Sequence, residues 1–148
     1  MKMFQFHLQK VLDLKEKEKE QAEWAFGKSI QRKNEEEWKL YQLNEQHDQM
    51  TNLLQEVQEQ TCSAAQLISI TQYQQSVARS ITSQRRTLHG CEQDVERCQT
   101  HLTERMKESQ LWNRLRERSL HQFLDAEKLR EQKELDEIGT QLYLRRSN

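Results

Sequence analysis

The chain has 148 residues, of which 34% are hydrophobic and 32% charged, too little apolar material for a globular core of that length. Its 23 basic and 24 acidic residues give no electrostatic footprint for nucleic acid, and no apolar run reaches the ~20 residues that span a bilayer. Lys10 and Asp13 interrupt the apolar start, which excludes a secretory signal. With no proline and three glycines, the composition favours long helices, with disorder as the competing interpretation.

The first predicted element is a helix over residues 4–59. Seam positions recur at alternating steps of three and four residues from Leu8 to Val57, which is the spacing of a coiled coil. Lys15 and Lys19 occupy two of these positions and make part of the seam polar. The sustained repeat argues for paired helices and against disorder.

A short turn is expected at residues 60–63. Ser63 and Gln66 form an S-x-x-Q capping box, in which the two side chains can satisfy free N–H groups at a helix start. Ser69 and Gln72 offer the same pattern, but a helix that starts there would leave the first residue of the second seam outside it.

The second helix is predicted over residues 64–143, with one uninterrupted seam from Leu67 to Ala126. The predicted fold class is therefore all-α: a long antiparallel two-helix coiled coil, or helical hairpin, formed by residues 1–148 as a single domain. The second helix is the longer one. From Leu124 onward it has no partner in the first helix and overhangs it by ~20 residues, or ~30 Å.

The hairpin fixes which seam positions face each other. Positions should pair when their residue numbers add to roughly 124. Lys15 and Lys19 then face Ser109 and Arg105, so that the polar layers of the two helices coincide and need neighbouring glutamates to neutralise them. Coincident polar layers fix a register at some cost in stability.

The overhang keeps an apolar stripe of Leu135, Ile138 and Leu142 that the chain itself does not cover. Such a stripe predicts a docking surface for another protein. The alternative is self-association, in which two chains pair along this stripe as a structural homodimer with four helices.

No site for chemistry is expected. His89, Cys91, Cys98 and His101 suggest zinc by composition, but helical spacing sends the first two to opposite sides and places the two cysteines ~10 Å apart. With Cys62, the odd and scattered cysteines fit a reducing compartment. We predict no enzyme, no cofactor and no metal.

Three aromatic residues, Trp38, Tyr41 and Tyr73, lie off the seam toward the turn. Trp38 and Tyr41 are one helical turn apart and can form a surface patch with Trp24 nearby, or pack over the stems of charged neighbours. They are a candidate second binding surface.

Motifs at both ends carry a resemblance to a known family. Residues 4–16 read FQFHLQKVLDLKE, residues 131–137 read EQKELDE, and Tyr-Gln-Gln follows the turn at residues 73–75. With the length and the missing proline, these motifs resemble the flagellar export protein FliJ over nearly the whole chain.

The resemblance implies a soluble component of the flagellar type III export apparatus, similar in fold to the stalk of F-type ATP synthases. Its paired ends would enter the hexameric export ATPase ring, and the residues expected to face the ATPase are Leu8, Val11, Leu12, Gln132, Lys133, Leu135, Asp136 and Glu137.

The resemblance also implies contact with the membrane export gate and an escort role for export chaperones, here assigned to Trp38, Tyr41 and Tyr73. Ser76 stands where an apolar or aromatic residue is commoner in the family, so the gate surface transfers less directly. The implied location is cytoplasmic, peripherally at the cell membrane without insertion. The implied state is a monomer, with the homodimer as the alternative, and nucleic acid is not among the implied partners.

Overall fold

The computed structural model describes residues 3–60 and 63–147, and these residues form two helices. Helix α1 spans Gln9–Glu59 and helix α2 spans Ala64–Ser147, 51 and 84 residues respectively. The two helices pack against each other as a hairpin, which confirms the all-α coiled-coil class. The expected turn falls partly on Thr61 and Cys62, which lie outside the described residues.

The start of α2 shows which of the two candidate caps is used. The Gln66 backbone N–H donates to the Ser63 side-chain oxygen at 3.3 Å, and the Gln66 and Leu67 N–H groups reach the Ser63 carbonyl oxygen at 3.1 and 3.3 Å. Ser63 is therefore the N-cap of α2, because its side chain satisfies a donor that has no partner within the helix. Ser69 lies inside the helix.

Helix α1 begins at Gln9, later than the expected start near residue 4. The Leu8 carbonyl accepts the first helical N–H groups, from Val11 and Leu12, at 3.0 Å each. Residues two apart in a helix point to nearly opposite sides, so a helix here would bury only one of Phe4 and Phe6. The irregular course keeps Phe6 buried and Phe4 half-buried.

The chain divides into two compact units. The terminal unit joins Met1–Glu20 to Glu104–Asn148, and the middle unit is Gln21–Thr103. Each unit contains antiparallel segments of both helices. In the middle unit, the buried apolar side chains are Ala22, Val77, Ile81 and Cys91. In the terminal unit, they are Phe6 and Leu12.

Interhelical contacts within each unit follow the predicted register. In the middle unit, the Gln74 amide donates to the Thr51 hydroxyl at 2.9 Å, and the Gln84 amide donates to the Glu36 carbonyl oxygen at 3.0 Å and to its carboxylate. Gln74, Gln84 and Glu36 stand at seam positions where an all-apolar coil would have aliphatic side chains, and Thr51 lies beside the seam.

Helix α2 continues beyond its partner segment in the terminal unit. Every residue from 128 to 147 is exposed, and we call this segment the overhang. Its last turn carries Arg145 and Arg146, whose charges suit the negative end of the helix dipole. Within the described residues, neither helix carries an apolar stretch long enough to cross a membrane.

Candidate functional site

The terminal unit contains an ionic layer where the sequence predicted a polar one. The Lys15 ammonium lies 3.2 Å from the Glu108 carboxylate and 3.5 Å from that of Glu18. On the facing helix, the Arg105 guanidinium lies 2.9 Å from Glu108 and 3.4 Å from Glu18. Two cations and two carboxylates therefore alternate across the helix pair, and each charge has opposite charges on both helices.

A second polar cluster adjoins this layer and is centred on Glu16. Its carboxylate accepts hydrogen bonds from the Ser109 hydroxyl and, at 2.9 Å, from the Asn113 amide, and pairs with Lys19 at 3.1 Å. Ser109 is the buried polar side chain of the unit, 3% exposed. A hydroxyl so buried requires a partner, and the Glu16 carboxylate supplies it.

These contacts shift the pKa of Glu16, Glu108 and Lys15 in the direction that favours the charged form of each group. The hydrogen bond from Ser109, followed by those from Lys19 and Asn113, lowers the pKa of Glu16. The hydrogen bond with Lys15 and the charge of Arg105 lower the pKa of Glu108, and the same hydrogen bond raises the pKa of Lys15. These directions favour the charged forms of Glu16, Glu108 and Lys15, which suits a layer that fixes register.

The first half of the expected ATPase-facing set lies largely inside the terminal unit. Leu12 is 3% exposed and belongs to the core, while Leu8 and Val11 are half-buried. The adjacent N-terminal segment is held by Phe4, whose ring lies 5.5 Å from that of Phe123 with the Arg116 guanidinium 5.8 Å from its centroid. The first two turns of α1 thus contribute mainly to folding.

The second half of the expected set lies entirely on the overhang. All five of its members are exposed: Gln132, Lys133, Leu135, Asp136 and Glu137. Leu135 is 67% exposed, and Ile138 and Leu142 continue its stripe at 53% and 54%. Three aliphatic side chains in one row on a solvent-facing helix are more apolar surface than a lone helix normally shows.

The structure does not bring the two halves of this set together. The contact between Phe4 and Phe123 marks how far along α2 the N-terminal segment reaches. Leu135 lies twelve residues further, or ~18 Å by helical rise. A partner that grips the overhang therefore has to extend well beyond Leu8 and Leu12 to touch both.

The aromatic candidates of the middle unit form one pair and one separate residue. The Trp38 and Tyr41 rings stack with centroids 5.4 Å apart, and both are exposed. Tyr73 is also exposed, but it neighbours Gln74, which bonds to Thr51, ten residues along α1 from Tyr41. That distance is ~15 Å by helical rise, so the three side chains do not make a single patch.

A groove of about 740 Å³ follows the seam of the middle unit. Small side chains, Ala22, Cys91 and Cys98, form part of its lining, and the two cysteines are free thiols. In the part of the chain that the structure describes, no three His, Cys, Asp or Glu side chains converge on a position for a metal ion. His101 lines the same groove.

Two contributors to these surfaces escaped the sequence reasoning. Glu108, the acid that joins Lys15 to Arg105, sits one position before the seam residue Ser109, and its signal was the i,i+3 spacing to Arg105. Trp24, although noted, was not assigned to a site; its ring carries the Lys28 ammonium 4.8 Å from its centroid. The sequence feature that could have indicated a role for Trp24 is its heptad spacing from Trp38.

Comparisons with known proteins give one matching family and one solved structure of similar fold. The family model described as Flagellar FliJ protein matches residues 4–148. No curated protein matches the sequence significantly. Among solved structures, a YscO homolog from Chlamydia trachomatis is similar in fold, with a TM-score of 0.60 and 22% sequence identity, covering 95% of this chain and 96% of that one.

Proposed function

This chain belongs to the Flagellar FliJ protein family, and from that premise we propose that it binds the hexameric flagellar export ATPase as a stalk and links it to the membrane export gate. Membership makes it a component of the type III export apparatus, and a non-catalytic one. The contacts with the ATPase and the gate are the proposal.

The observation that carries the proposal is the overhang. It offers about 30 Å of helix in which every residue is exposed, with an aliphatic stripe on one side and charges on the others. A ring of subunits can grip such a helix from all sides, since apolar and charged contacts are both available. The paired segment below it supplies a rigid base, because the ionic layer and Leu12 hold both helices in register.

The residues proposed to touch the ATPase are those of the overhang: Gln132, Lys133, Leu135, Asp136 and Glu137. Leu8 and Val11 retain part of their surface and can form the rim of the contact. Leu12 contributes indirectly, since burial leaves its side chain no surface for a partner.

The gate and the export chaperones are assigned to the middle unit. Tyr73 is the candidate for the export gate, and the Trp38 and Tyr41 pair for the gate or a chaperone, because these aromatic rings are exposed and such rings are favoured at interfaces. These contacts would hold the chain at the cytoplasmic face of the membrane without insertion.

Truncation tests the ATPase contact directly. A chain ending at Glu127 retains every described interhelical contact of the terminal unit, so it should fold and yet fail to stimulate the purified export ATPase. Leu135→Ser combined with Ile138→Ser should reduce the stimulation several-fold. Thr140→Ala, a change on the same helix outside the stripe, is the matched control. Full stimulation by the truncated chain would remove the overhang from the mechanism.

The alternative is a structural homodimer paired along the same stripe. Light scattering over a wide concentration range separates the two. A monomer agrees with the adaptor, whereas a dimer that the Leu135→Ser and Ile138→Ser changes dissociate would favour the structural protein.

A further inference from the structure

Helix α1 carries a second stripe on the side away from its seam. Its members follow one another at alternating steps of three and four residues, as seam residues do, but two positions earlier in the heptad. All are exposed. We call this set the outer stripe: Trp24, Gly27, Gln31, Asn34, Trp38 and Tyr41. A shift of two residues turns the side chain by ~200°, so the outer stripe faces away from α2.

An open groove runs along the outer stripe, and its lining residues have the spacing of the holes in a coiled coil. The groove measures about 550 Å³ and is lined at spacings i, i+3, i+4, i+7, i+8 and i+11 by Gly27, Ile30, Gln31, Asn34, Glu35 and Trp38. In a coiled coil, a knob from one helix enters a hole formed by four residues at i, i+3, i+4 and i+7 of the other. The groove consists of two such holes, one after the other.

Trp38 lines one end of this groove, and Trp24 lies three residues before Gly27 at the other end. Trp24 is 67% exposed and Trp38 58% exposed, and Trp38 is stacked on Tyr41. At Gly27, an added Cβ would meet no atom within 4 Å. A large ring beside an unfilled hole is the arrangement found where interface residues anchor a partner.

The flanks of the outer stripe are mainly acidic. Glu23 and Glu37 lie on one side of it and Glu35 on the other. Glu37 already pairs with Lys33 at 3.7 Å, so Glu23 and Glu35 are the carboxylates left for a partner. Lys28 also flanks the stripe, but its ammonium lies over the Trp24 ring. A helix in the groove would therefore place its own flanking positions beside carboxylates, and lysine or arginine at those positions would complement them.

The size of the surface favours a partner helix over a second copy of this chain. Three aromatic side chains that are just over half exposed offer roughly 350 Å², well under the ~800 Å² per partner of a stable complex. A symmetric dimer would need more. A single helix that occupies two holes needs no more contact area than this, and a complex of that size is transient.

We infer that the outer stripe binds one amphipathic α-helix of another protein, with small and medium aliphatic knobs at heptad spacing and basic flanking residues. The inference deepens the role proposed for Trp38 and Tyr41 and rests on the proposed function only for that location. It is independent of the overhang, so ATPase stimulation should be unchanged in the variants below.

The test uses the full chain and a synthetic helix as the probe. The peptide has about three heptads with Ala and Leu at the knob positions and Lys at the flanks, and a matched peptide carries Glu at the flanks. A Trp112→Phe background leaves Trp24 and Trp38 as the fluorophores. We expect the lysine peptide to bind with a Kd of roughly 10 to 100 µM and the glutamate peptide about tenfold more weakly or not at all.

Gly27→Leu is the decisive variant. An added Cβ at this position meets no atom within 4 Å, and replacing a helical glycine should raise the unfolding midpoint, so we do not expect misfolding to cause a loss of binding. Affinity should fall at least about tenfold. Gly90→Leu is the matched control, because a Cβ at that position on α2 also meets no atom within 4 Å.

Three outcomes overturn the inference. The first is failure of the lysine peptide to bind the chain at ~1 mM, and the second is equal binding to the Gly27→Leu variant. The third is a chain that sediments as a dimer and becomes a monomer with Gly27→Leu, which would make a second copy the occupant. Normal ATPase stimulation in all variants keeps these outcomes separate from the proposed role of the overhang.

Discussion

Two consecutive stretches of α2 in the terminal unit share a helical pattern and differ in their surroundings. Between residues 104 and 127, Ser109 is buried and Trp112 and Phe123 are half-buried against the N-terminal segment. In the overhang, residues 128–147, Leu135, Ile138 and Leu142 keep the same spacing but are more than half exposed. Apolar spacing therefore shows that a helix has a face to cover, and the length of the opposing segment decides whether this chain covers it.

The largest expected effect is on stability, and it comes from shortening one buried leucine of the terminal unit. The same change to a leucine of the overhang provides the comparison. Leu12→Ala removes a buried side chain that packs against α2 and should lower the free energy of unfolding by about 2–5 kcal/mol. Leu135→Ala removes an exposed one and should change it by less than ~0.5 kcal/mol. Urea unfolding followed by circular dichroism measures both. Equal losses would mean that the overhang is packed in solution.

A smaller effect is expected from the buried hydroxyl. Ser109→Ala removes the hydrogen bond to Glu16 and should cost about 1 kcal/mol, since Asn113 and Lys19 still hold the carboxylate. Its counterpart on the overhang is Thr140→Ala, where the lost bond runs 2.9 Å to the Asp136 carbonyl oxygen.

Thr140→Ala should change the unfolding free energy by less than ~0.5 kcal/mol, because alanine has the higher helix propensity. The same urea titration applies to both hydroxyl variants. A loss at position 140 as large as that at position 109 would contradict the distinction between the two stretches.

The smallest effect is the acid sensitivity of the paired stretch. The pKa of Glu16 in the folded chain lies below its ordinary value of 4.5, so its stabilising contribution is complete above that pH and is lost as the pH falls through the folded-state pKa. The midpoint temperature of unfolding should fall between about pH 6 and pH 3, and Glu16→Gln should make that fall smaller.

Glu131→Gln on the overhang is the control for acid sensitivity and should leave that fall unchanged. Thermal unfolding at several pH values supplies the measurement. An identical pH dependence in wild type and Glu16→Gln would show that the hydrogen bonds to Glu16 do not persist in solution.

Much of the fold could be predicted because it follows from periodicity and length. The residues that face Lys15 and Arg105 lie near their predicted positions, because the place of the turn and the constant helical rise together determine which positions meet. What escaped prediction depends on side-chain direction. Glu108, a flank residue, contacts both Lys15 and Arg105 in the layer. Phe4 and Phe6 precede the helix, where the irregular backbone leaves Phe6 buried and Phe4 half-buried.

The candidate site was predictable in part, and for the same reasons. The exposure of Leu135 follows from the unequal lengths of the helices, whereas the burial of Leu12 shows that a motif residue can serve the core. That these residues bind an ATPase stays a prediction, as does the role of Tyr73. The outer stripe was visible as spacing from Trp24 to Tyr41, but the exposure of its rings and the groove beside Trp38 come only from the structure.

The unequal helices also set an order of events during synthesis. Helix α1 emerges from the ribosome before any of α2 does, and the 84 residues of α2 take roughly 4 to 17 s to add at typical elongation rates. Pairing can only proceed outward from the connection between Glu59 and Ala64. The N-terminal segment is therefore the last part of the chain to pair, after Phe123 has emerged from the ribosome. For those seconds the seam of α1 is open to chaperones or to a neighbouring nascent chain, and rare codons within α2 would lengthen that exposure.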